Sequence, residues 1–279
     1  MMLFRDKKVI FDGPKVMGIL NVTPDSFSDG GQYSTLDNAL RQTQLMIAAG
    51  ATFIDVGGES TRPGAKEVST DEELSRVIPV INKISASFDV IVSVDTSKPD
   101  VIREAVNNGA SLINDVRALR MPGALEAASY AAQAYNVPSC IMHMQGTPSD
   151  MQDAPQYDDI LADVMHFFEQ RIDICVAAGI KYNQLMIDPG FGFGKSLDHN
   201  YRLLKHLSDL SQFDLPMLVG MSRKSMIGDL LGRSVDNRLA GNIATATLAA
   251  MAGASIIRVH DVQETMDAVT IVNKIGSIN

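Results

Sequence analysis

The sequence predicts a (β/α)8 barrel of parallel strands. One unit recurs along the chain: a short apolar run rich in β-forming residues, a polar turn and a longer helical stretch. Several of the predicted strands are apolar almost throughout, as strands covered on both faces must be. Eight strands alternating with eight helices favour a closed barrel. An open doubly wound sheet, which is built from the same units, is the alternative.

The composition is that of a soluble protein with a large core. The 279 residues are 46% hydrophobic and 20% charged, and we expect one domain over residues 1–279. The net charge of −9 argues against nonspecific binding to nucleic acid, whose phosphates demand an excess of Lys and Arg. Cys140 and Cys175 form neither a disulfide framework nor a zinc set. No apolar run approaches the roughly 20 residues of a membrane span, so we expect a cytoplasmic protein without membrane contact.

The predicted strands and helices follow from the apolar runs and from the glycines and polar turns between them. Residues 3–12 precede the first barrel strand and are predicted to form a small hairpin that plugs the barrel's N-terminal end. Glycine stands in four of the connections that lead from a helix to a strand, where it tolerates the left-handed backbone that ends a helix. The predicted strands are 16–20, 52–56, 90–94, 111–114, 138–143, 184–187, 217–220 and 255–259, and the predicted helices are 36–49, 71–87, 99–108, 123–135, 158–178, 199–210, 236–252 and 262–275.

Polar residues follow almost every predicted strand. In a barrel, the C-terminal ends of the strands and the loops beyond them carry the chemistry. These positions therefore predict a polar mouth that mixes carboxylates with cations. The residues are Asn21, Asp55, Asp95, Asn114, Asp115, His143, Asp188, Lys224, Arg258 and His260.

Three of these residues offer hydrogen-bond acceptors on different sides of one cavity. Asp95, Asn114 and Asp188 follow the third, fourth and sixth predicted strands. Each alone would more often be structural, but together they match a ligand rich in N–H donors, such as an aminopyrimidine edge. A buried carboxylate is costly unless it is paired, and Lys224 would bring the opposite charge.

Arg258 and His260 indicate a phosphate site. They are two residues apart on the last predicted strand, so both side chains point to one face. Arginine binds phosphate oxygens in a bidentate fork, and barrels often hold phosphates near strands seven and eight. A structural salt bridge together with a capping histidine is the alternative. Arg62 could supply a further cation.

The segment PGFGFGKS at residues 189–196 resembles a phosphate-binding loop but lacks its spacing. Gly190 leaves three residues before Gly194, whereas a Walker loop needs four, and a dinucleotide fingerprint also fails. We expect a flexible glycine-rich loop beside a pocket, with Phe193 placed to lie over a flat ligand.

The residues around the opening loop offer oxygen ligands. Asn21 and Asp29 suit Mg²⁺, which takes few protein ligands and shares phosphate oxygens. On sequence alone, turn capping by both residues explains them equally well. A histidine-based metal site is not expected, because the histidines show no metal-ligand spacing, and we expect His143 to be structural.

The ordered motifs of the chain resemble those of dihydropteroate synthases. MGILNVTPDSFSDGG at residues 17–31 is similar to the first signature of that family, and DVGGESTRPGA at 55–65 is similar to the second. The resemblance spans essentially the whole chain in the expected order. It continues through SVDT at 93–96, NDV at 114–116, IDPGFGFGK at 187–195, GMSRKS at 220–225 and IIRVHDV at 256–262.

This resemblance implies a barrel fold, a homodimer and a reaction of folate biosynthesis. 6-Hydroxymethyl-7,8-dihydropterin diphosphate condenses with 4-aminobenzoate to give dihydropteroate and diphosphate, assisted by Mg²⁺. It also implies the roles of individual residues. The catalytic residues would be Arg258, His260, Lys224 and Asp95; the pterin site Asp95, Asn114, Val116, Met142, Asp188, Phe193, Lys224 and Arg258; the 4-aminobenzoate site Phe27, Thr61, Pro63, Phe193 and Ser225; the diphosphate site Asn21, Thr61, Arg62, Arg258 and His260; and the metal ligands Asn21 and Asp29.

The expected chemistry is an SN1-like substitution at the pterin methylene, in which two separating charges need stabilisation more than a strong base is needed. Two alternatives share the fold: a pterin-binding methyltransferase domain and a non-catalytic pterin-binding paralogue. Neither would need the segments TPDSFSDGG and STRPG, which the resemblance assigns to diphosphate and aminobenzoate.

Overall fold

A computed structural model describes residues 1–23, 32–60, 67–146, 151 and 155–278 of the chain. Its main feature is a parallel sheet of eight strands, which confirms the predicted fold class. The strands are β3 (Lys15–Asn21), β4 (Phe53–Gly57), β5 (Ile91–Asp95), β6 (Leu112–Asp115), β7 (Ser139–Met142), β8 (Leu185–Asp188), β9 (Leu218–Val219) and β10 (Ile256–Val259). They follow the spatial order β8-β7-β6-β5-β4-β3-β10-β9. A parallel bridge between Ile187 and Met217 joins the two outer strands and closes the barrel.

Helices surround the strands, and all but one of the eight predicted helices end within one residue of the predicted position. The four glycines predicted at helix-to-strand connections, Gly50, Gly109, Gly179 and Gly253, have φ angles of 101°, 112°, 96° and 94°. This left-handed backbone is the conformation that ends a helix. The helices are α1 (Gln32–Ala48), α2 (Thr70–Ser87), α3 (Pro99–Asn107), α4 (Ala124–Tyr135), α5 (Ile160–Ala177), α6 (Leu197–Lys205), α7 (Ser225–Leu231), α8 (Leu239–Met251) and α9 (Val262–Gly276).

The N-terminal hairpin closes the lower end of the barrel, as predicted. Strands β1 (Met2–Phe4) and β2 (Lys7–Val9) pair in antiparallel fashion. Phe4 is fully buried and meets the Phe53 ring edge-on at 5.1 Å. The hairpin and the first inward residue of each strand form one apolar cluster: Met2, Phe4, Val9, Met17, Phe53, Ile91, Leu112, Cys140, Met186, Leu218 and Ile256.

Two features around β9 differ from the sequence-based expectation. The strand itself has only two residues, and a helix, α7, follows where the sequence pattern predicts none. A helix of seven residues spans only two turns, so its hydrophobic period is too short to be recognised in the sequence.

The predicted helix over 199–210 also differs from the structure. It ends at Lys205, and a 3₁₀ turn continues over Leu207–Phe213.

In the part of the chain that the structure describes, no helix has the length and apolarity needed to cross a membrane.

Candidate functional site

Alternation along the strands builds the site one layer above the apolar floor. Side chains two residues apart on a strand point to the same face. Two positions beyond the apolar layer, the interior therefore becomes polar, with Asp55, Ser93, Asn114, Asp188 and Arg258. Asp55 and Ser93 are fully buried, while Asn114 is 4% exposed and Asp188 is 7% exposed. The packed barrel thus opens into a polar pocket at its C-terminal face, the usual place for a barrel active site.

Arg258 is the centre of the polar layer. Its Nε donates to Asp55 Oδ2 at 2.6 Å, and its Nη2 donates to Asp95 Oδ2 at 2.7 Å. Asn114 Nδ2 donates to the same Asp55 oxygen at 3.1 Å. One guanidinium therefore faces two carboxylates, and the remaining oxygens, Asp55 Oδ1 and Asp95 Oδ1, are buried without a hydrogen-bond partner among the described residues. Such orphaned acceptors are expected where a ligand supplies N–H donors.

Burial beside Arg258 shifts the ionisation of Asp95. Burial raises the pKa of Asp95 from 3.8 to about 7; the Arg258 charge opposes this shift and the nearby Asp55 charge adds to it. The same two carboxylates raise the pKa of Arg258 although burial opposes them. Perturbed carboxyl groups in a cleft are typical of functional sites.

Asp188 and Lys224 form the opposite side of the pocket. Burial raises the pKa of Asp188, while the Lys224 charge and the Gly190 N–H lower it; that N–H donates to Asp188 Oδ1 at 2.7 Å. Burial lowers the pKa of Lys224 to about 8, against the attraction of Asp188. The Lys224 ammonium donates to the carbonyl of Phe191 and lies 4.5 Å from the centre of the Phe193 ring.

An apolar cluster lies beside the polar groups. Val116, Met142 and Phe193, which the resemblance assigns to the pterin, pack together there with Met144 and Met151. A pocket with hydrogen-bonding groups at its edge and an apolar face is suited to a flat heterocycle.

The glycine-rich loop is held by a buried lysine that the sequence analysis did not single out. Lys195 is 3% exposed; its Nζ contacts His143 Nδ1 at 2.9 Å and donates to the carbonyls of Gly190 at 2.8 Å and Phe193 at 3.1 Å. Gly190 has φ +69°, and a Cβ there would lie 1.9 Å from the His143 carbonyl oxygen. His143 therefore contacts the loop from β7, and burial lowers the pKa of its imidazole well below the ordinary value.

Asn21 lies at the pocket mouth, at the end of β3. Gly57 separates it from Asp95: a Cβ at Gly57 would lie 3.8 Å from Asn21 Oδ1 and 3.7 Å from Asp95 Oδ2. Asn21 thus offers a hard oxygen at the mouth, a donor that fits Mg²⁺ shared with phosphate. The described residues contain no group of three His, Cys, Asp or Glu side chains that could hold a metal.

His260 and Ser225 lie near the same mouth. His260 Nδ1 is 3.1 Å from Ser222 Oγ, which also accepts from the His260 backbone N–H at 3.3 Å. Ser225 is the first residue of α7 and is exposed. The remaining predicted site residues, Phe27, Asp29, Thr61, Arg62 and Pro63, lie outside the described residues.

A buried ionic cluster anchors the chain just before residues 61–66. Lys98 pairs with Glu59 and, at 2.6 Å, with Glu73 Oε2. The Glu73 side chain is 1% exposed and the Lys98 side chain 9%. The chain that leads into residues 61–66 is thereby tied to β5, α2 and α3.

Asp55 has a central role that its place in the sequence does not reveal. Its position near the end of a predicted strand places it among the polar residues of the barrel mouth but indicates no contact. The available signal was its position: in the apolar run FIDVG, a lone carboxylate on a strand buried on both faces must have a partner. The partner, Arg258, is 203 residues away, and sequence spacing does not identify such a pair.

The fold and the site together define a class: a barrel enzyme whose pocket is built for a flat, donor-rich heterocycle. The pterin-binding enzyme family matches residues 17–260, and the chain belongs to that family.

Named relatives are similar to this chain over nearly their whole length. The dihydropteroate synthase of Escherichia coli strain K12 is 59% identical over 93% of this chain and 90% of its own. That of Haemophilus influenzae is 54% identical over 91% of each chain. A crystal structure of Yersinia pestis dihydropteroate synthase in complex with a sulfonamide drug is 56% identical, covers 100% of this chain and 99% of its own, and has a TM-score of 0.94.

Proposed function

We infer that this protein condenses 6-hydroxymethyl-7,8-dihydropterin diphosphate with 4-aminobenzoate, the dihydropteroate synthase reaction of folate biosynthesis. The enzyme is a transferase that releases dihydropteroate and diphosphate. The observation that carries the inference is the pairing of Arg258 with Asp55 and Asp95, which leaves acceptor oxygens free in a buried pocket.

We propose that the pterin forms hydrogen bonds to the pocket along its ring edge and apolar contacts on its ring face. Asp95, Asn114 and Asp188 accept from its N–H groups, and Lys224 donates to its ring acceptors. Val116, Met142 and Phe193 form the apolar walls, and Arg258 stacks on the ring. The supporting observation is that the orphaned acceptors and the apolar cluster line the same barrel mouth.

Catalysis depends on the separation of charge. When the bond from the methylene to diphosphate breaks, the dihydropterin ring delocalises the positive charge. Asp55 and Asp95 both face Arg258, and their negative charge favours this cation. We assign the departing diphosphate to Arg258 and His260, with Asn21, Thr61 and Arg62. We propose this SN1-like course because the site offers charges of both signs and needs no strong base.

Asn21 and Asp29 would hold Mg²⁺. A bound Mg²⁺ would neutralise charge on the diphosphate oxygens. The Asn21 amide oxygen supports this assignment, because it is a hard ligand at the mouth.

The second substrate attacks through its own amine. We propose that 4-aminobenzoate lies among Phe27, Thr61, Pro63, Phe193 and Ser225, above the pterin. The arylamine lone pair forms the new C–N bond, and the amine proton leaves afterwards, so the site needs no nucleophilic side chain. The Phe193 ring, whose centre lies 4.5 Å from the Lys224 ammonium, supports a flat aromatic neighbour there.

We further propose that residues 1–279 act as one domain in a cytoplasmic homodimer. The buried free thiols Cys140 and Cys175 suit a reducing compartment. Three neighbouring helices expose apolar side chains that a second copy could cover. We call these the C-terminal apolar face: Leu230, Leu231, Leu248, Met251, Ile271 and Ile275.

An assay of product formation tests the function. Purified protein with both substrates and Mg²⁺ should form dihydropteroate and diphosphate in equal amounts. A pterin-binding methyltransferase domain or a non-catalytic paralogue would bind the pterin and release no diphosphate, and that result would reject the proposal.

A further inference from the structure

Arg223 has an unusual backbone conformation next to the pocket. Its φ angle is +61°, a left-handed conformation that residues other than glycine rarely adopt. The residue lies in the turn between β9 and α7, directly between Ser222, which contacts His260, and Lys224. Strained conformations of this kind persist only where the surroundings impose them, and they cluster at functional sites.

Three side chains impose this conformation. Asn242 Oδ1 accepts the Arg223 backbone N–H at 2.9 Å, and Arg238 Nη1 donates to the Arg223 carbonyl at 2.8 Å. The Arg223 guanidinium pairs with Asp261 Oδ1 at 2.6 Å, and Asn242 Nδ2 donates to Asp261 Oδ2 at 2.9 Å. We call Arg223, Asn242 and Asp261 the turn clamp. Both backbone polar groups of Arg223 and its side chain are thereby held at once.

The turn clamp is connected to His260 in two ways. Asp261 directly follows His260 in the chain, so the ion pair with Arg223 fixes the backbone on one side of the imidazole. Ser222 directly precedes Arg223, and its Oγ lies 3.1 Å from His260 Nδ1. The clamp therefore restrains His260 both along the chain and through the serine hydroxyl.

The surroundings of the clamp are polar and open. Arg223, Asn242 and Asp261 border a cavity of about 110 Å³ that Val235, Asp236 and Leu239 complete. Burial would raise the pKa of Asp261, but the hydrogen bonds from Arg223 and Asn242 keep it below its ordinary value. The ionised pair is thus stable although it contributes no apolar packing, which points to a role other than core formation.

We propose that Arg223, Asn242 and Asp261 are positioning residues that set the His260 imidazole for the leaving diphosphate. The proposal rests on the proposed function, in which His260 faces the diphosphate. Lys224, the next residue in the chain, is also held by the Phe191 carbonyl, so we expect the clamp to act mainly on the diphosphate end.

The proposal is tested by measuring separately how tightly the protein binds diphosphate and how tightly it binds the pterin. Asp261→Asn keeps the shape of the side chain and removes its charge, and Asn242→Ala removes both of its hydrogen bonds. Each variant should bind inorganic diphosphate about ten-fold more weakly in calorimetry, the effect of losing one charge-assisted hydrogen bond. Affinity for 6-hydroxymethylpterin, which lacks the diphosphate, should stay within about two-fold of wild type. In turnover, kcat should fall and KM for aminobenzoate should stay unchanged.

Two further variants separate positioning from folding. Arg223→Gly suits the left-handed backbone and should fold well, yet it should lose diphosphate affinity as Asp261→Asn does. The exchange of Asn242→Asp with Asp261→Asn in one chain restores an acceptor for the Arg223 N–H and a donor–acceptor pair across the clamp. This double variant should recover most of the lost diphosphate affinity.

The outcomes are distinct. Equal weakening of both ligands, or unchanged diphosphate binding in all variants, would overturn the positioning role. Failure of the wild-type protein to release diphosphate would instead reject the proposed function. A diphosphate-specific loss that the double variant reverses would support the proposal.

Discussion

At the scale of single residues, the site depends on an unequal number of acidic and basic groups. Arg258 faces Asp55 and Asp95 together, so these three side chains carry one more negative than positive charge when Asp95 is ionised. A developing pterin cation would supply the missing positive charge. The electrostatic free energy of the pocket is therefore lower when the transition state is bound than when the pocket is empty, as catalysis by electrostatic preorganisation requires.

The burial of Asp95 predicts a pH dependence of stability. Because the pKa of Asp95 is raised from 3.8 to about 7 in the folded protein, the folded state binds the Asp95 proton more tightly than the unfolded state does. Its contribution to stability is fully present below pH 3.8 and is lost as pH rises to about 7. Asp95→Asn should remove this slope. Urea unfolding of both proteins between pH 4.5 and 8.5 measures it, and parallel curves would contradict the raised pKa.

At the scale of elements, the N-terminal hairpin stabilises the fold at one end of the barrel, whereas the residues at the opposite end of the barrel form the candidate site. Phe4→Ala removes a fully buried ring from the floor and should cost about 3–5 kcal/mol in the free energy of unfolding. Leu3→Ala, at a side chain that is 46% exposed on the same strand, should cost less than about 0.5 kcal/mol. Both folded variants should keep wild-type KM for the pterin, and a selective rise in KM for Phe4→Ala would refute this division.

The ionic cluster that joins β4, α2 and α3 gives a second test at this scale. Lys98→Met strands the buried carboxylate of Glu73 and should cost about 3–5 kcal/mol in unfolding free energy. Turnover should fall as well, because Glu59 leads into residues 61–66. Lys7→Met breaks the exposed pair with Asp89, whose side chain is 98% exposed, and should cost less than about 1 kcal/mol. Similar thermal and urea midpoints for the two variants would show that burial does not distinguish these pairs.

At the scale of the whole molecule, the C-terminal apolar face bears on assembly. Met251 and Ile271 on neighbouring helices are 64% and 62% exposed, and contiguous apolar patches mark association surfaces. Ile271→Glu should shift sedimentation from dimer to monomer at micromolar concentration. Tyr130→Glu, on α4, replaces a side chain that is 50% exposed and should leave the dimer intact. A monomeric wild-type protein would reject the homodimer.

The sequence predicts the architecture well because local patterns encode it. The strands, the hairpin and the helix-ending glycines all follow from short-range periodicity and backbone preference, and the structure confirms them. The contacts of the site do not follow in this way. These contacts join residues that are far apart in the chain but lie on nearby strands or in the loops after them: Asp55 with Arg258, His143 with Lys195, and Arg223 with Asp261. Chain spacing indicates which face such residues occupy, and only the three-dimensional register gives their partners.

The plug at the floor of the barrel has a consequence for the order of events during synthesis. Met2, Phe4 and Val9 share their cluster with Leu218 and Ile256, which the ribosome makes more than 200 residues later. Until those strands are synthesised, the apolar side chains of the hairpin cannot be fully buried and can form non-native contacts. A nascent chain arrested before β9 should therefore be captured by chaperones that bind apolar segments. Release of the hairpin from those chaperones should coincide with the synthesis of β10.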